Sequence, residues 1–388
     1  MGPSIEDELA ELRARSLLRR LRTFEPPNVE SVEPLTGKGL ISFASNDYLG
    51  LAGEPALREA AKEAIDRYGV GSGASRLITG TLAPHTRLEE TLARFKGTEA
   101  ALSFSSGYAT SLGTLGALCR EGDVIILDKL CHASLIDGAK LSGAALRVFP
   151  HNHLGKLESH LQWAQDNYPE ARVVVVTEAV FSMDGDRAPL AEVVAIKNRF
   201  GALLLVDEAH AVGVLGRNGR GLADAMRLEG EVDIHMGTLS KALGVAGGYV
   251  AGSRRLVDLL VNRARSFIFS TAPPPAIAAA ATAAIEWMLS PEGEKRRELL
   301  WRNLASFGEE MPQLFADGRK IQSAIVPIIL GDSSYALEAA ERLADRGIFV
   351  PAIRYPTVAR DAARLRITFS ALHTAPQIQA LCSALRGL

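Results

Sequence analysis

The residues able to do chemistry stand just after short apolar runs. Ala101-Leu102-Ser103-Phe104 is followed by Ser105-Ser106-Gly107-Tyr108, and Ile125-Ile126-Leu127 by Asp128 and then His132. Val173-Val174-Val175-Val176 leads to Thr177-Glu178 and on to Ser182-Met183-Asp184-Gly185. Leu203-Leu204-Leu205-Val206 leads to Asp207-Glu208-Ala209-His210, and Ile234-His235-Met236 to Thr238-Leu239-Ser240-Lys241. These ends supply an anion cup, a histidine, a hydroxyl, a carboxylate with a second histidine, and a lysine. That inventory fits pyridoxal 5'-phosphate (PLP), which needs a lysine amine for its Schiff base, a carboxylate to keep its pyridine nitrogen protonated, and a phosphate cup at a helix N-terminus. Lys241 is the Schiff-base candidate. Asp207 follows four aliphatic residues, so its carboxylate is poorly solvated and needs a cation, which a pyridinium supplies. His210 is placed near the ring's phenolic oxygen, and His132 is placed to lie flat on the ring. Hydroxyls near Lys241 can hold the phosphate, and Gly244 and Gly247-Gly248 permit close backbone approach.

Each residue taken singly has another reading. Asp207 also suits a Mg²⁺-binding acid at a strand end, although no Gly-x-x-x-x-Gly-Lys-Ser/Thr loop accompanies it. His132 alone reads as a polar residue at a helix start, and Ser106-Gly107 as an N-cap. Gly69-Val70-Gly71-Ser72-Gly73 resembles a dinucleotide loop, but it follows a helical stretch and lacks the full Gly-x-Gly-x-x-Gly, which counts against a dehydrogenase. Cys119, Cys131 and Cys382 show neither CxxC nor metal spacing. They read as reduced thiols, and no metal site is expected.

The elements that must position these groups follow from the same runs. Stretches of apolar residues without in/out alternation, separated by helical segments, predict a parallel or mostly parallel sheet in an α/β domain, with ligands beyond the strands' carboxyl ends. The runs are 100–104, 123–127, 145–149, 172–177, 203–206 and 234–236, with helices predicted over 55–68 and 85–96. At the N-terminus an amphipathic helix is predicted over 5–22, ended by Pro26-Pro27, before a β-like stretch at 40–44. Pro273-Pro274-Pro275 opens an alanine-rich helix. Beyond it, apolar runs at 324–330 and 365–369 flank a helix at 335–346, which predicts a smaller α+β domain. The expected division is an N-terminal helix and arm (1–50), a large cofactor-binding domain (51–272) and a small C-terminal domain (273–388).

Among the 388 residues, 43 Lys and Arg face 45 Asp and Glu, a formal charge of −2 that argues against nucleic acid or an anionic membrane as partner. The stretch 273–289 is mostly alanine and carries Glu286, so it reads as a buried helix rather than a membrane span. The acidic start (Glu6, Asp7, Glu8, Glu11) is wrong for a transit peptide, and a cytoplasmic enzyme is expected.

Ser-Gly-Tyr at 106–108, Thr-Glu-Ala-Val-Phe-Ser-Met-Asp-Gly-Asp at 177–186, Asp-Glu-Ala-His at 207–210 and Thr-Leu-Ser-Lys at 238–241 resemble the α-oxoamine synthases. The similarity runs from about Phe43, through Ser-Asn-Asp-Tyr-Leu-Gly-Leu at 45–51, to the C-terminus. It implies a fold-type-I, aspartate-aminotransferase-like PLP enzyme grouped with class-II aminotransferases. It also implies a homodimer with active sites at the subunit interface, condensing an amino acid with an acyl-CoA before loss of CO₂. By the same resemblance Gly107, Tyr108 and Thr238 lie at the phosphate, His132 over the ring, Ser182 and His210 near the phenolic oxygen, Asp207 at the pyridinium and Lys241 at the Schiff base. Arg354 and Thr357 match substrate-handling positions, with Arg354 as a carboxylate fork. Arg20 matches a substrate-binding arginine of the N-terminal arm, and Arg22 is the alternative. The stretches 352–358 and 363–367 resemble the branch acting on L-alanine and pimeloyl-CoA or pimeloyl-carrier protein, but Tyr355 and Ala359 stand where prolines are common. Sister enzymes use glycine or serine, and a non-catalytic partner subunit of the same fold would lack the lysine.

Overall fold

The computed structural model describes residues 2–25, 29–33 and 37–388. Among them the strands are, in chain order, β1 (Glu30–Glu33), β2 (Lys38–Ser42), β3 (Ala100–Phe104), β4 (Val124–Asp128), β5 (Ala145–Phe149), β6 (Val173–Glu178), β7 (Leu203–Asp207), β8 (Ile234–Thr238), β9 (Gly248–Gly252), β10 (Ile325–Gly331), β11 (Ile348–Phe349), β12 (Ala352–Ile353) and β13 (Ala363–Thr368). All six apolar runs are strands of one sheet, ordered β3-β9-β8-β7-β6-β4-β5. The pairs β4/β5, β4/β6, β6/β7 and β7/β8 are parallel, and β9 runs antiparallel between β3 and β8. β3, β4, β8 and β9 are buried along their whole lengths, because helices cover both faces of the sheet. The sequence reading missed β9, whose Gly-Tyr-Val-Ala-Gly holds only three side chains between its terminal glycines.

By its contacts the chain forms two compact units. One comprises Asp47–Ser182 and Asp186–Glu298 and holds the seven-stranded sheet. Its alanine-rich helix Pro275–Met288 packs on the helices Pro55–Tyr68 and Ala83–Lys96, small side chains allowing the close approach. The other comprises the described part of Met1–Asn46 with Met183–Gly185 and Leu299–Leu388. It holds the small sheets β1-β2-β11 and β10-β13-β12 around a cluster in which the Phe43 ring stacks on His373 with centroids 4.0 Å apart. This division differs from boundaries at 50 and 272. The alanine-rich helix packs in the sheet unit, and the arm joins the C-terminal residues through the β2–β11 ladder.

The N-terminal helix is shorter than its periodicity suggests, spanning Ile5–Ala14 with a Ser4–Asp7 capping box. It buries none of its residues, so packing does not extend it. The chain turns at Ser16, whose φ is 55°, and the Arg354 guanidinium donates to the Ser16 carbonyl. Pro26 and Pro27 lie outside the described residues. No helix among the described residues is long and apolar enough to cross a membrane.

Candidate active site

The carboxyl ends of β4, β6, β7 and β8 and the start of the helix Gly107–Leu118 bring most of the expected groups together in the sheet unit. Ser106 caps that helix, its Oγ accepting from the Ala109 amide at 3.0 Å. The amides of Gly107 and Tyr108 have no protein acceptor among the described residues. A Cβ on Gly107 would lie 3.5 Å from Thr238 Oγ1, and one on Gly248 would lie 2.8 Å from the Gly107 Cα. Glycine thus lets the end of β8, the start of β9 and the helix N-terminus close into a cradle lined by two free amides and the Thr238 hydroxyl. Thr238 Oγ1 donates to the Gly247 carbonyl (2.9 Å) and lies 2.7 Å from Ser240 Oγ. Such a cradle suits a phosphate. Tyr108 is half-exposed and donates its hydroxyl to Asp137 at 2.5 Å, which raises the phenol's pKa.

Asp207 ends β7 and is buried. Its Oδ1 accepts from the Ala209 amide at 2.9 Å, while Oδ2 has no protein partner among the described residues. Burial raises its pKa, and the charges of Lys241 and His132 oppose that rise. His132 caps the helix Ala133–Ser142. Its Nδ1 accepts from the Ser134 amide (3.2 Å), so in the neutral ring Nε2 carries the proton. Burial lowers its pKa. His210 sits between two partners, with Nε2 2.8 Å from Lys241 Nζ and Nδ1 2.5 Å from the Tyr48 hydroxyl. Ser182 follows β6 at the edge of the sheet unit, and the next residues, Met183–Gly185, belong to the other unit, within which Ser323 Oγ donates to the Gly185 carbonyl at 2.7 Å.

Two residues of this cluster went unrecognised as site residues. Glu178 ends β6 in register with Asp207, is buried, and accepts from the His132 amide at 2.5 Å. Burial first, and then the Asp207 charge, push its carboxyl up to about 8. A carboxylate ending a run of valines was the available signal, the same one that exposed Asp207. Tyr48 lay in a stretch that reads as a turn, and only the fold brings its hydroxyl to His210.

The donor set fits PLP: a cradle for an anion, a buried carboxylate with one open oxygen, and an amine within reach of an imidazole. The expected substrate residues lie in the other unit. Arg354 is half-buried, and burial together with the nearby Arg19 charge lowers its pKa. Thr357 Oγ1 accepts from Arg19 Nη2 at 3.2 Å. Arg19, not Arg20 or Arg22, is therefore the arm arginine that meets Thr357. Arg20 is exposed, and the Arg22 guanidinium stands over the Phe349 ring, 5.6 Å from its centroid.

The "Aminotransferase class I and II" family model matches residues 38–385. An 8-amino-7-oxononanoate synthase of Geobacter sulfurreducens is 46% identical over 99% of this chain and 97% of its own length. A serine palmitoyltransferase from S. paucimobilis, solved with a bound PLP–myriocin aldimine, superposes with a TM-score of 0.90 at 33% identity, covering 98% of this chain and 95% of that one. An 8-amino-7-oxononanoate synthase from Francisella tularensis superposes with a TM-score of 0.75 at 31% identity, covering 90% of this chain and 98% of that one. With its sheet order, its strand-end lysine and carboxylate, and matches of this extent, the chain belongs to the family of class I and II aminotransferases.

Proposed function

We propose that this protein condenses L-alanine with pimeloyl-CoA or pimeloyl-carrier protein, releasing CO₂ and the free carrier and giving 8-amino-7-oxononanoate, a step of biotin biosynthesis. The observation that carries the chemistry is the Lys241 amine, 2.8 Å from the His210 ring in a cluster that also holds the buried, one-side-open Asp207 carboxylate. The choice of substrates rests on relatives of that activity at 46% and 48% identity over nearly the whole chain.

PLP, when bound, supplies a covalent handle for the amino acid and an electron sink at its α-carbon. The chain's residues do the rest. Gly107, Tyr108 and Thr238 hold the phosphate at the helix start. Asp207 keeps the proton on the ring nitrogen, because a buried carboxylate strongly favours a cationic partner. His132 lies against the ring face, its orientation fixed by the Ser134 amide. Ser182 and His210 attend the phenolic oxygen. Lys241 takes the proton from the α-carbon and returns it, and the Tyr48–His210 pair offers that amine a hydrogen-bonded route for a proton. Arg354, Thr357 and the arm arginines Arg19 and Arg20 handle the substrate's anionic groups.

The protein acts as a cytoplasmic homodimer with the active site at the subunit interface. Supporting this, Val70, Leu77, Ile78 and Phe269 are exposed apolar side chains on the segments 69–82 and 265–272, which the Ser75–Thr271 bridge joins.

The test is CoA release measured with alanine, glycine and serine crossed against acetyl-, succinyl-, palmitoyl- and pimeloyl-CoA. Alanine with pimeloyl-CoA is expected to give the highest kcat/KM. Alanine against glycine differs by one methyl, worth only about 1–3 kcal/mol, so glycine should remain a detectable substrate. A preference for glycine with acetyl-CoA would overturn the substrates. Borohydride reduction fixing PLP to a lysine other than Lys241 would overturn the site.

A further inference from the structure

The buried carboxylate Glu178 is not needed to bind any part of PLP in the reading above, yet it sits among the groups that do. It ends β6 in register with Asp207 on β7, and its Oε1 receives the backbone N–H of His132 at 2.5 Å. Its Oε2 makes no hydrogen bond among the described residues. We infer that Glu178 is a positioning residue that acts as an uncharged acid: through Oε1 it fixes the start of the helix carrying His132, and through a proton on Oε2 it leaves Asp207 as the single negative charge facing the ring nitrogen. The inference rests on the PLP reading.

The argument is one of charge and space. Two carboxylates end adjacent parallel strands, and both are withdrawn from water. Ionising both would place two like charges side by side in a poorly solvating environment, so the pair holds one proton. The surroundings decide which member keeps it. Asp207 receives the Ala209 amide and feels the charges of Lys241 and His132, with Glu208 opposing. Glu178 faces Asp207 on β7, Asp128 on β4, Lys241 beyond β8 and the His132 amide, and the Cys131 thiol nearby stays neutral because burial raises its pKa. Lys241 faces both carboxyls; Glu178 has the Asp128 charge against its ionisation, whereas Asp207 has His132 in favour of it, and the Glu208 charge opposing it is paired with Lys96. The proton therefore belongs on Glu178. Burial and the Asp207 charge raise the Glu178 pKa to about 8, in keeping with that assignment.

The arrangement has a consequence for His132. The imidazole's place over the ring depends on the helix start, and that start is held by the N–H that Glu178 accepts. An amide oxygen accepts the same bond without charge. Glu178→Gln thus keeps the proposed role, and Glu178→Ala removes it.

The experiment uses the full-length protein as apoenzyme and holoenzyme. PLP affinity, the induced circular dichroism of the bound chromophore, and the infrared carbonyl band of a protonated carboxyl are compared for wild type, Glu178→Gln and Glu178→Ala. Glu178→Ala should weaken PLP binding about tenfold, the value of one buried hydrogen bond lost, and reduce the induced dichroism. Glu178→Gln should restore both to near wild type while the carboxyl band disappears. An Ala variant indistinguishable from wild type overturns the positioning role. A Gln variant as impaired as Ala, or a carboxyl band unchanged by Glu178→Gln, overturns the uncharged acid. If Glu178→Ala does not fold, the Gln variant decides alone through its dichroism and the infrared band. Failure of wild type itself to bind PLP would strike the underlying reading, and is told apart by that control.

Discussion

Asp207 and Glu208 are neighbours in the chain, both buried, and successive side chains at a strand end fall on opposite sides of the sheet. Glu208 meets a finished environment. Lys96 pairs with it, the Ala223 amide donates to it at 3.1 Å, and His235 Nδ1 lies 3.5 Å away. Burial alone would raise its pKa, but Lys96 and His235 outweigh that and hold the carboxyl at about 2. Asp207 meets an unfinished one, with one backbone amide on Oδ1 and an open Oδ2, and its pKa is raised. A carboxylate that serves the fold brings its cation with it. Asp207 is left short of a cation, which under the proposed function the cofactor's ring nitrogen supplies.

Breaking the Glu208 side should give the larger effect on stability. Lys96→Met leaves a buried carboxylate without its partner and is expected to cost about 3–5 kcal/mol of unfolding free energy. Urea denaturation of the apoenzyme measures this; a loss below 1 kcal/mol would mean that Glu208 takes up a proton at no cost. Asp207→Asn should do the reverse. Its apoenzyme should unfold no more easily than wild type, because a poorly compensated charge has been removed, while kcat falls about 100-fold or more for want of a group that keeps the ring nitrogen protonated. Near-normal turnover in Asp207→Asn would place that proton under the control of another residue.

His151 sharpens the comparison from a third direction, because here two acids share an ionisable cation. Its Nδ1 lies 3.1 Å from Asp128 Oδ1 and its Nε2 2.8 Å from Asp186 Oδ2. Burial alone would lower its pKa, but the hydrogen bonds and charges of Asp128 and Asp186 raise it to about 10. A folded-state pKa above the unfolded value of about 6.5 means the stabilisation is complete below that pH and is lost as pH rises toward 10. Wild-type melting temperature should therefore fall more steeply between pH 6.5 and 10 than that of His151→Gln. The variant should be less stable at neutral pH by about 1–3 kcal/mol. Parallel pH profiles for the two proteins would show that His151 is neutral when folded.

The large sheet and the groups at its carboxyl edge were legible because buried parallel strands announce themselves as unbroken apolar runs, with the chemistry directly after each. Asp207, His132, His210, Thr238 and Lys241 all stand at or shortly after the end of such a run. Glu178 obeys the same rule, but its place beside Asp207 comes from register, and register between β6 and β7 is not written in either run. β9 escaped because three residues between glycines carry no periodic signal. The arm helix was overextended because Leu17 and Leu18 continue the apolar pattern, whereas the chain has already turned at Ser16. The pairing of Arg19 with Thr357, 338 positions away, was beyond any local signal.

The smallest effect is expected at Arg354, which the proposed function sets against the substrate's own charge. The Arg354 guanidinium is partly withdrawn from water, and the Arg19 charge adds to the burial that lowers its pKa. Two cations near one another repel, and an anion bound there relieves both, so the site favours a carboxylate or phosphate group of the substrate. This interaction is the same before and during the reaction, which makes it uniform binding: its loss should raise KM and leave kcat nearly unchanged. Arg354→Ala is expected to raise the KM of one substrate about tenfold, and Arg354→Lys, which keeps the charge without the fork, to recover part of the loss. Which substrate's KM moves tells which one carries the anion that Arg354 meets. A fall in kcat with KM unchanged would instead give Arg354 a part in the chemical step, and place it with Asp207 among the groups the reaction itself requires.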